Sequence, residues 1–265
     1  MSQMKFEFAQ RTFQHIPTDS EIIVPVSGGK DSTATFILAL QHFEKDKIIP
    51  IHCNTGWDHP KTYEYLDYMQ EKSGIEIQHT KYEEAETMPD LIRRMKMFPT
   101  RNTRFCTSRY KETATTRWYK KNGFWESRKG QVWLGIRSDE SHQRRKKYGS
   151  IDSTDIHNYL DVFSWLPKSM GKNLELRFPV IDWDTQDCFD HIKDYGWKHN
   201  PLYDEGASRV GCYPCLLSNK KKQREEFNTE FGRTQLKFIK DLEKELGIKY
   251  EMYDDDQGSC EVCNI

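Results

Sequence analysis

Hydrophobic and polar positions alternate between two regimes in the first half of the chain. Short aliphatic runs at 21–26 (EIIVPV), 48–53 (IIPIHC), 75–80 (IEIQHT) and 131–136 (QVWLGI) are bounded by polar residues and read as strands. Between them, residues 33–44, 61–73, 89–97 and 107–121 space their apolar positions as helices do. Strands that alternate with helices need crossover connections. The expected fold is therefore α/β, a doubly wound and mostly parallel sheet covered on both faces. Ligands of such sheets bind beyond the carboxyl ends of the strands. Three polar, glycine-containing segments fall there: Ser27–Ser32, Asn54–Asp58 and Gly135–Ser141.

From about residue 150 the pattern loosens. Residues 173–180 read as a further strand, 185–195 as a short helix ending at Gly196, and 223–246 as one long polar helix ending at Gly247. Between the two helices lies an irregular segment containing NPLYDEGASRVGCYPC, and the chain ends DDDQGSCEVCNI. The expected division is a nucleotide-binding α/β domain over 1–200 and a cysteine-containing, mainly helical extension over 201–265.

Composition narrows the class. No apolar run approaches the roughly 20 residues of a membrane helix, and the first residues, MSQMKFEFAQ, lack the pattern of a secretory leader. A cytoplasmic protein with no membrane partner is expected. Forty basic residues against forty-one acidic ones give a net charge of -1, which argues against a general electrostatic nucleic-acid binder. The local clusters Arg144–Lys147 and Lys220–Lys222 keep a nucleic acid open as a partner. Seven cysteines in a chain of this kind point to metal binding, catalysis or burial rather than to disulfides.

The chemistry concentrates at SGGKDS, Ser27 to Ser32, set between a strand and a helix. Gly28 and Gly29 let main-chain N–H groups approach an anion, and the following helix points its positive end at the same place. Lys30 adds a cation, and Ser27 and Ser32 add hydroxyls. The spacing differs from the GxxxxGK[ST] phosphate loop. As it stands, SGGKDS resembles the pyrophosphate-binding loop of the adenine nucleotide alpha hydrolase-like superfamily, the PP-loop ATP pyrophosphatases and their relatives.

Four further segments resemble one branch of that superfamily, the phosphoadenylylsulfate (PAPS) reductase-like family. Phe178–Cys215 carries Pro179, Asp182, Trp183, the turn Asn200-Pro201-Leu202-Tyr203, and Gly211-Cys212-x-x-Cys215. Asn54-Thr55-Gly56 with Pro60, Leu134–Arg144, and Thr103–Glu112 match other family segments. The resemblance implies that an adenine nucleotide is held by Ser27–Ser32, Thr55, Gly56, Arg109, Lys111, Gly135 and Arg137, with Lys30, Asp31 and Arg137 closest to the chemistry. Arg144 is placed in the same crevice. Mg2+ accompanying ATP would find Asp31, Asp58 and Asp139 or Glu140.

Two departures shape the functional expectation. PAPS-consuming reductases commonly have a degraded loop, whereas SGGKDS is intact here, which favours ATP. The reductases' terminal glutamate-cysteine-glycine-leucine-histidine motif is absent. The expected activity is therefore an ATP pyrophosphatase-type adenylating enzyme of sulfur metabolism, activating an acceptor for sulfur transfer. The alternatives are a PAPS or adenylylsulfate reductase, and a non-catalytic nucleotide-binding subunit. The spacing of Cys212 and Cys215 suits a metal. The resemblance to adenylylsulfate reductases implies a [4Fe–4S] cluster, for whose four positions Cys106, Cys212, Cys215, Cys260 and Cys263 compete; Zn2+ is the alternative. Cys53 and Cys188 are expected to be buried.

Overall fold

The computed structural model describes residues 20–140, 142–163, 168 and 172–251. Among these, six strands form one sheet in the order β3-β2-β1-β4-β6-β5. The strands are β1 (Glu21–Pro25), β2 (Ile48–Cys53), β3 (Gln78–Thr80), β4 (Gly130–Trp133), β5 (His157–Asn158) and β6 (Leu174–Arg177). All pairings are parallel except β5 with β6, an antiparallel edge. The chain winds outward from β1 through β2 to β3, then crosses to β4 and β6. The order thus reverses beside β1, which places a crevice above its carboxyl end.

The alternation of side chains across β1 divides the core. Ile22 and Val24 face α1 (Lys30–His42), α2 (Pro60–Ser73) and α7 (Thr185–Asp194), and pack with Phe36, Leu66 and Ile192. Ile23 faces the opposite layer, where Tyr119 of α4 (Ala114–Lys121), Tyr148 of α5 (His142–Tyr148) and Tyr159 of α6 (Tyr159–Val162) close over Val132 and Leu176. A third apolar cluster joins Leu91 of α3 (Met88–Met95) to Phe227 of α8 (Lys220–Phe227) and Ile239 of α9 (Glu230–Leu246). The C-terminal helices therefore pack on the β2–β3 side of the α/β body.

Most expected elements are present, with local differences; the strand read at 131–136, for one, is Gly130–Trp133. The strand read at 75–80 is confined to Gln78–Thr80, and the one at 173–180 to Leu174–Arg177. The helix at 107–121 opens with seven residues of π-helix, Thr107–Thr113, before continuing as α4. The long helix at 223–246 is two helices, because Thr229 stops α8 and caps α9: its Oγ1 accepts from the Gly232 amide at 3.0 Å. The two-residue β5 lies below the length at which periodicity is visible.

Candidate functional site

The turn after β1 is built for close approach. Val26 N–H still donates to Ile51 O at 2.8 Å, so the sheet holds the chain up to the first serine. Gly28 then takes φ +71°, a conformation that strains any residue with a side chain, and a Cβ there would stand 3.0 Å from Thr62 Cγ2. Asn200 donates to Gly28 O at 3.2 Å from the far side. The Ser27 amide donates to Ser32 Oγ at 3.1 Å, and that hydroxyl donates to Gly29 O at 3.0 Å, closing the loop on itself. Gly29 stands at the N-cap of α1 with no side chain of its own to cap it, and the first helical amide, that of Lys30, is taken by Tyr203 Oη.

Lys30 and Asp31 are both buried, at 4% and 8% exposure, and they are placed by different partners. The Lys30 amide donates to Tyr203 Oη at 2.9 Å, while its ammonium lies 5.5 Å from the centre of the Tyr203 ring and 3.7 Å from Asp31 Oδ2. Asp31 Oδ1 accepts from Arg137 Nε at 2.6 Å and from the Cys188 thiol at 3.4 Å. The rest of the Arg137 fork goes to Asp139 Oδ1 at 2.6 Å, Thr185 Oγ1 at 3.0 Å and Trp183 O at 3.4 Å. Burial opposes the Arg137 charge, but Asp31 and Asp139 outweigh it and hold the guanidinium above its ordinary pKa. Burial, reinforced by Asp31, pushes the Cys188 thiol well up, so it stays a protonated donor.

Gly135, at the end of the β4 segment, is the contact between the two halves of the crevice. A Cβ there would fall 2.8 Å from Asp31 O and 2.8 Å from Ser32 N. Both obstacles are backbone, so only glycine lets the β4 turn approach the first turn of α1.

The second loop supplies the opposite wall. Gly56 has φ +59°, Thr55 Oγ1 donates to Asp58 Oδ2 at 2.9 Å, and Tyr63 donates to Asn54 Oδ1 at 3.1 Å. An antiparallel bridge joins Asp58 to Cys212, and Tyr213 N–H donates to Trp57 O at 2.9 Å, which draws the segment after the Asn200 turn across the crevice. Ser27, His52, Thr55, Asp58, Lys111 and Cys212 line one small cavity under that segment. Lys111 is buried at 8% exposure. Burial, opposed by Asp58, lowers the His52 pKa, and its Nδ1 meets Val26 O at 2.8 Å.

The structure thus brings together Ser27–Ser32, Thr55, Lys111, Gly135 and Arg137, with Gly56 in the adjoining loop. Arg109 is exposed on the π-helix, and it does not line the cavity that Lys111 lines. Arg144 is buried, but its Nη1 pairs with Glu140, whose other oxygen accepts from Arg209 at 2.7 Å. It anchors that carboxylate rather than presenting its own fork. Cys106 and Cys212 border the third apolar cluster, and Cys215 is half-buried. Among the described residues no three His, Cys, Asp or Glu side chains converge as a metal site. Cys260 and Cys263 lie outside the described residues. Cys188 is buried and Cys53 half-buried; Cys53 donates to Tyr110 O at 2.6 Å, and burial pushes its pKa up to about 12. Sequence reasoning missed the loop contacts of Tyr203, Asn200 and Cys188. The Asn200–Tyr203 turn was visible as a motif, but nothing local shows that it folds back on Ser27–Ser32.

The model of the phosphoadenosine phosphosulfate reductase domain matches residues 21–218, three quarters of the chain. The chain belongs to that family. This PAPS reductase-family chain is 27% identical to an uncharacterized 37.8 kDa protein of Escherichia phage 186, over 77% of this chain and 70% of that protein. It is 24% identical to the phosphoadenosine 5'-phosphosulfate reductase of Erwinia tasmaniensis, over 63% of this chain and 60% of the enzyme. It spans 38% and 45% of two uncharacterized Methanocaldococcus jannaschii relatives. The crystal structure of PAPS reductase from Candida auris, a phosphate complex, shares the fold at TM-score 0.52 and 15% identity, covering 80% of this chain and 88% of that one. No helix among the described residues is long and apolar enough to cross a membrane.

Proposed function

We propose that the chain is an ATP pyrophosphatase-type adenylating enzyme of sulfur metabolism. The observation that carries this reading is the intact Ser27–Ser32 loop at the N-terminus of α1, with Lys30 and the Asp31–Arg137 pair behind it. Such a seat suits the pyrophosphate end of ATP, whose leaving group gathers charge as the bond to the α-phosphorus breaks. An acceptor oxygen would attack the α-phosphorus, the bond to the bridging oxygen of the β-phosphate would break, and pyrophosphate would depart into the loop. The adenylated acceptor then carries a leaving group that a sulfur nucleophile can replace.

In this reading Lys30 and the loop amides neutralise the departing pyrophosphate. Asp31 is held by Arg137 and Cys188 so that its second oxygen faces Lys30, and Arg137 works through Asp31. Lys111 and Thr55 form the facing wall, and Asp58 is the second carboxylate in reach of Mg2+ brought in with ATP. Arg109 remains an assigned phosphate contact by family resemblance alone. A cysteine-bound cluster held by Cys106, Cys212, Cys215 and one of Cys260 or Cys263 is the second part of the reading. The described thiols do not complete a ligand set by themselves, and no step here runs through a cluster. Iron, zinc and the visible absorption of anaerobically purified protein decide that part.

A PAPS or adenylylsulfate reductase is the second reading, favoured by the family match and by Cys212 lining the cavity. Equilibrium dialysis separates the two. ATP held in the loop should be displaced by inorganic pyrophosphate but not by adenosine 3',5'-bisphosphate. The reverse order of displacement would support the reductase and overturn the ATP reading.

A further inference from the structure

A cavity outside the strand-end crevice is lined by aromatic and charged side chains. It has a volume of about 770 Å³, and its walls come from α2, α7 and residues 197–204. No strand, strand-end loop or residue of Ser27–Ser32 lines it. That volume falls in the range of small-ligand sites, roughly 300–1,000 Å³.

Its walls are aromatic. Tyr65 and Tyr68 of α2 stack with ring centres 5.7 Å apart, and Tyr68 meets Trp197 edge-on at 6.0 Å. From the opposite wall Phe189 of α7 meets Tyr203 edge-on at 5.1 Å. The backbone holds this arrangement: Tyr65 Oη donates to Lys198 O at 2.8 Å, and Tyr68 Oη accepts from Lys198 N–H at 2.9 Å. The rings are thus fixed before any ligand arrives, which lowers the ordering cost of stacking.

The rim is charged: Lys61, Lys193 and Lys198 stand among Glu64, Asp190 and Asp204. Asp190 Oδ1 accepts from Gln186 at 2.8 Å, Asp204 Oδ1 meets His199 Nε2 at 2.8 Å, and Glu205 is paired with Lys61. Lys193 and Lys198 are exposed at the mouth. A planar ring bearing a negative group complements both features: the ring against the aromatic walls, the anion at the lysines.

We propose that this cavity is a second binding site for a nucleoside phosphate, its base stacked among Tyr68, Phe189 and Trp197 and its phosphate at Lys193 and Lys198. The source is either a free nucleotide or one unit of a single strand. The proposal is independent of the reaction assigned to the strand-end crevice. Tyr203 forms a wall of the cavity and also holds the Lys30 amide, so the two sites share one side chain.

Thymidine 5'-phosphate and a single-stranded thymidylate 12-mer are the probes, since stacking tolerates any base and a pyrimidine avoids a site shaped for adenine. Binding is measured by calorimetry for the wild type, Phe189→Ala and the double variant Lys193→Glu/Lys198→Glu, each checked for an unchanged melting temperature. At least one probe should bind, and each folded variant should bind it at least about fivefold more weakly, the low end of one stacked base. The double variant changes only exposed side chains and keeps the test alive if Phe189→Ala fails to fold. Equal affinity for the two probes assigns a free nucleotide, and a preference for the 12-mer assigns a strand. Absence of binding by both probes, or a smaller loss in every folded variant, overturns the proposal.

Discussion

At the scale of single residues the site is organised around one buried carboxylate. Asp31 faces a guanidinium that is 2% exposed and a thiol that is fully buried. Removing its charge leaves Arg137 with Asp139 as its remaining carboxylate partner, and that group is 41% exposed. Asp31→Asn should therefore cost about 2 kcal/mol of stability, read from urea unfolding, because a buried cation loses most of its compensation. The neighbouring thiols give a chemical check. Burial pushes the Cys53 pKa up to about 12 and raises that of Cys188 well above the ordinary thiol value. Iodoacetamide at pH 8, followed by peptide mapping of the native protein, should leave both unmodified. Tyr203 shows why residue-scale reading falls short. Lys30 is legible in the sequence because its six-residue context is local. Its amide partner is 173 residues away and appears only once α7 and the Asn200 turn fold back over the loop.

At the scale of elements, two turns must touch for the crevice to exist. Gly135→Ala would drive a methyl group into the backbone of Asp31 and Ser32. It should cost about 1–3 kcal/mol and weaken ATP retention at least tenfold by shifting the first turn of α1, measured by thermal melting and equilibrium dialysis. The helix beside it gives the molecule a pH response. His191 of α7 is buried against Trp183, and burial lowers its pKa from 6.5 to about 4. Between those values the unfolded chain holds a proton that the folded chain refuses, so stability is complete above about pH 6.5 and falls as pH drops. Stability should fall by roughly 2 kcal/mol between pH 7 and pH 5 through this group, and His191→Gln should remove that share of the slope in urea titrations, leaving the smaller contributions of His42, His52, His59 and His79, whose pKa values burial also lowers. The strands were legible as elements because β1, β2 and β4 are buried on both faces and read as aliphatic runs. The edge strand β5 was not, because two residues carry no period. The break before α9 was hidden because Thr229 acts as a cap only through its own hydroxyl.

At the scale of the whole molecule, a doubly wound sheet of the PAPS reductase family carries the glycine-rich Ser27–Ser32 loop at its switch point. A C-terminal segment crosses the mouth of the crevice through the Asp58–Cys212 bridge. The family and its sheet were readable from separated motifs, most of them set by a strand end. The convergence of Lys111 and Cys212 on Ser27 and Thr55 was not, since it depends on how the π-helix and that crossing segment pack. The reading of function rests on what the loop holds. The most direct test is release of pyrophosphate from labelled ATP with Mg2+, in the presence of a filtered cell extract as the source of acceptor. The account predicts release by the wild type and a fall of about 100-fold or more in Lys30→Ala. No release above the extract alone, or release undiminished in Lys30→Ala, would contradict it.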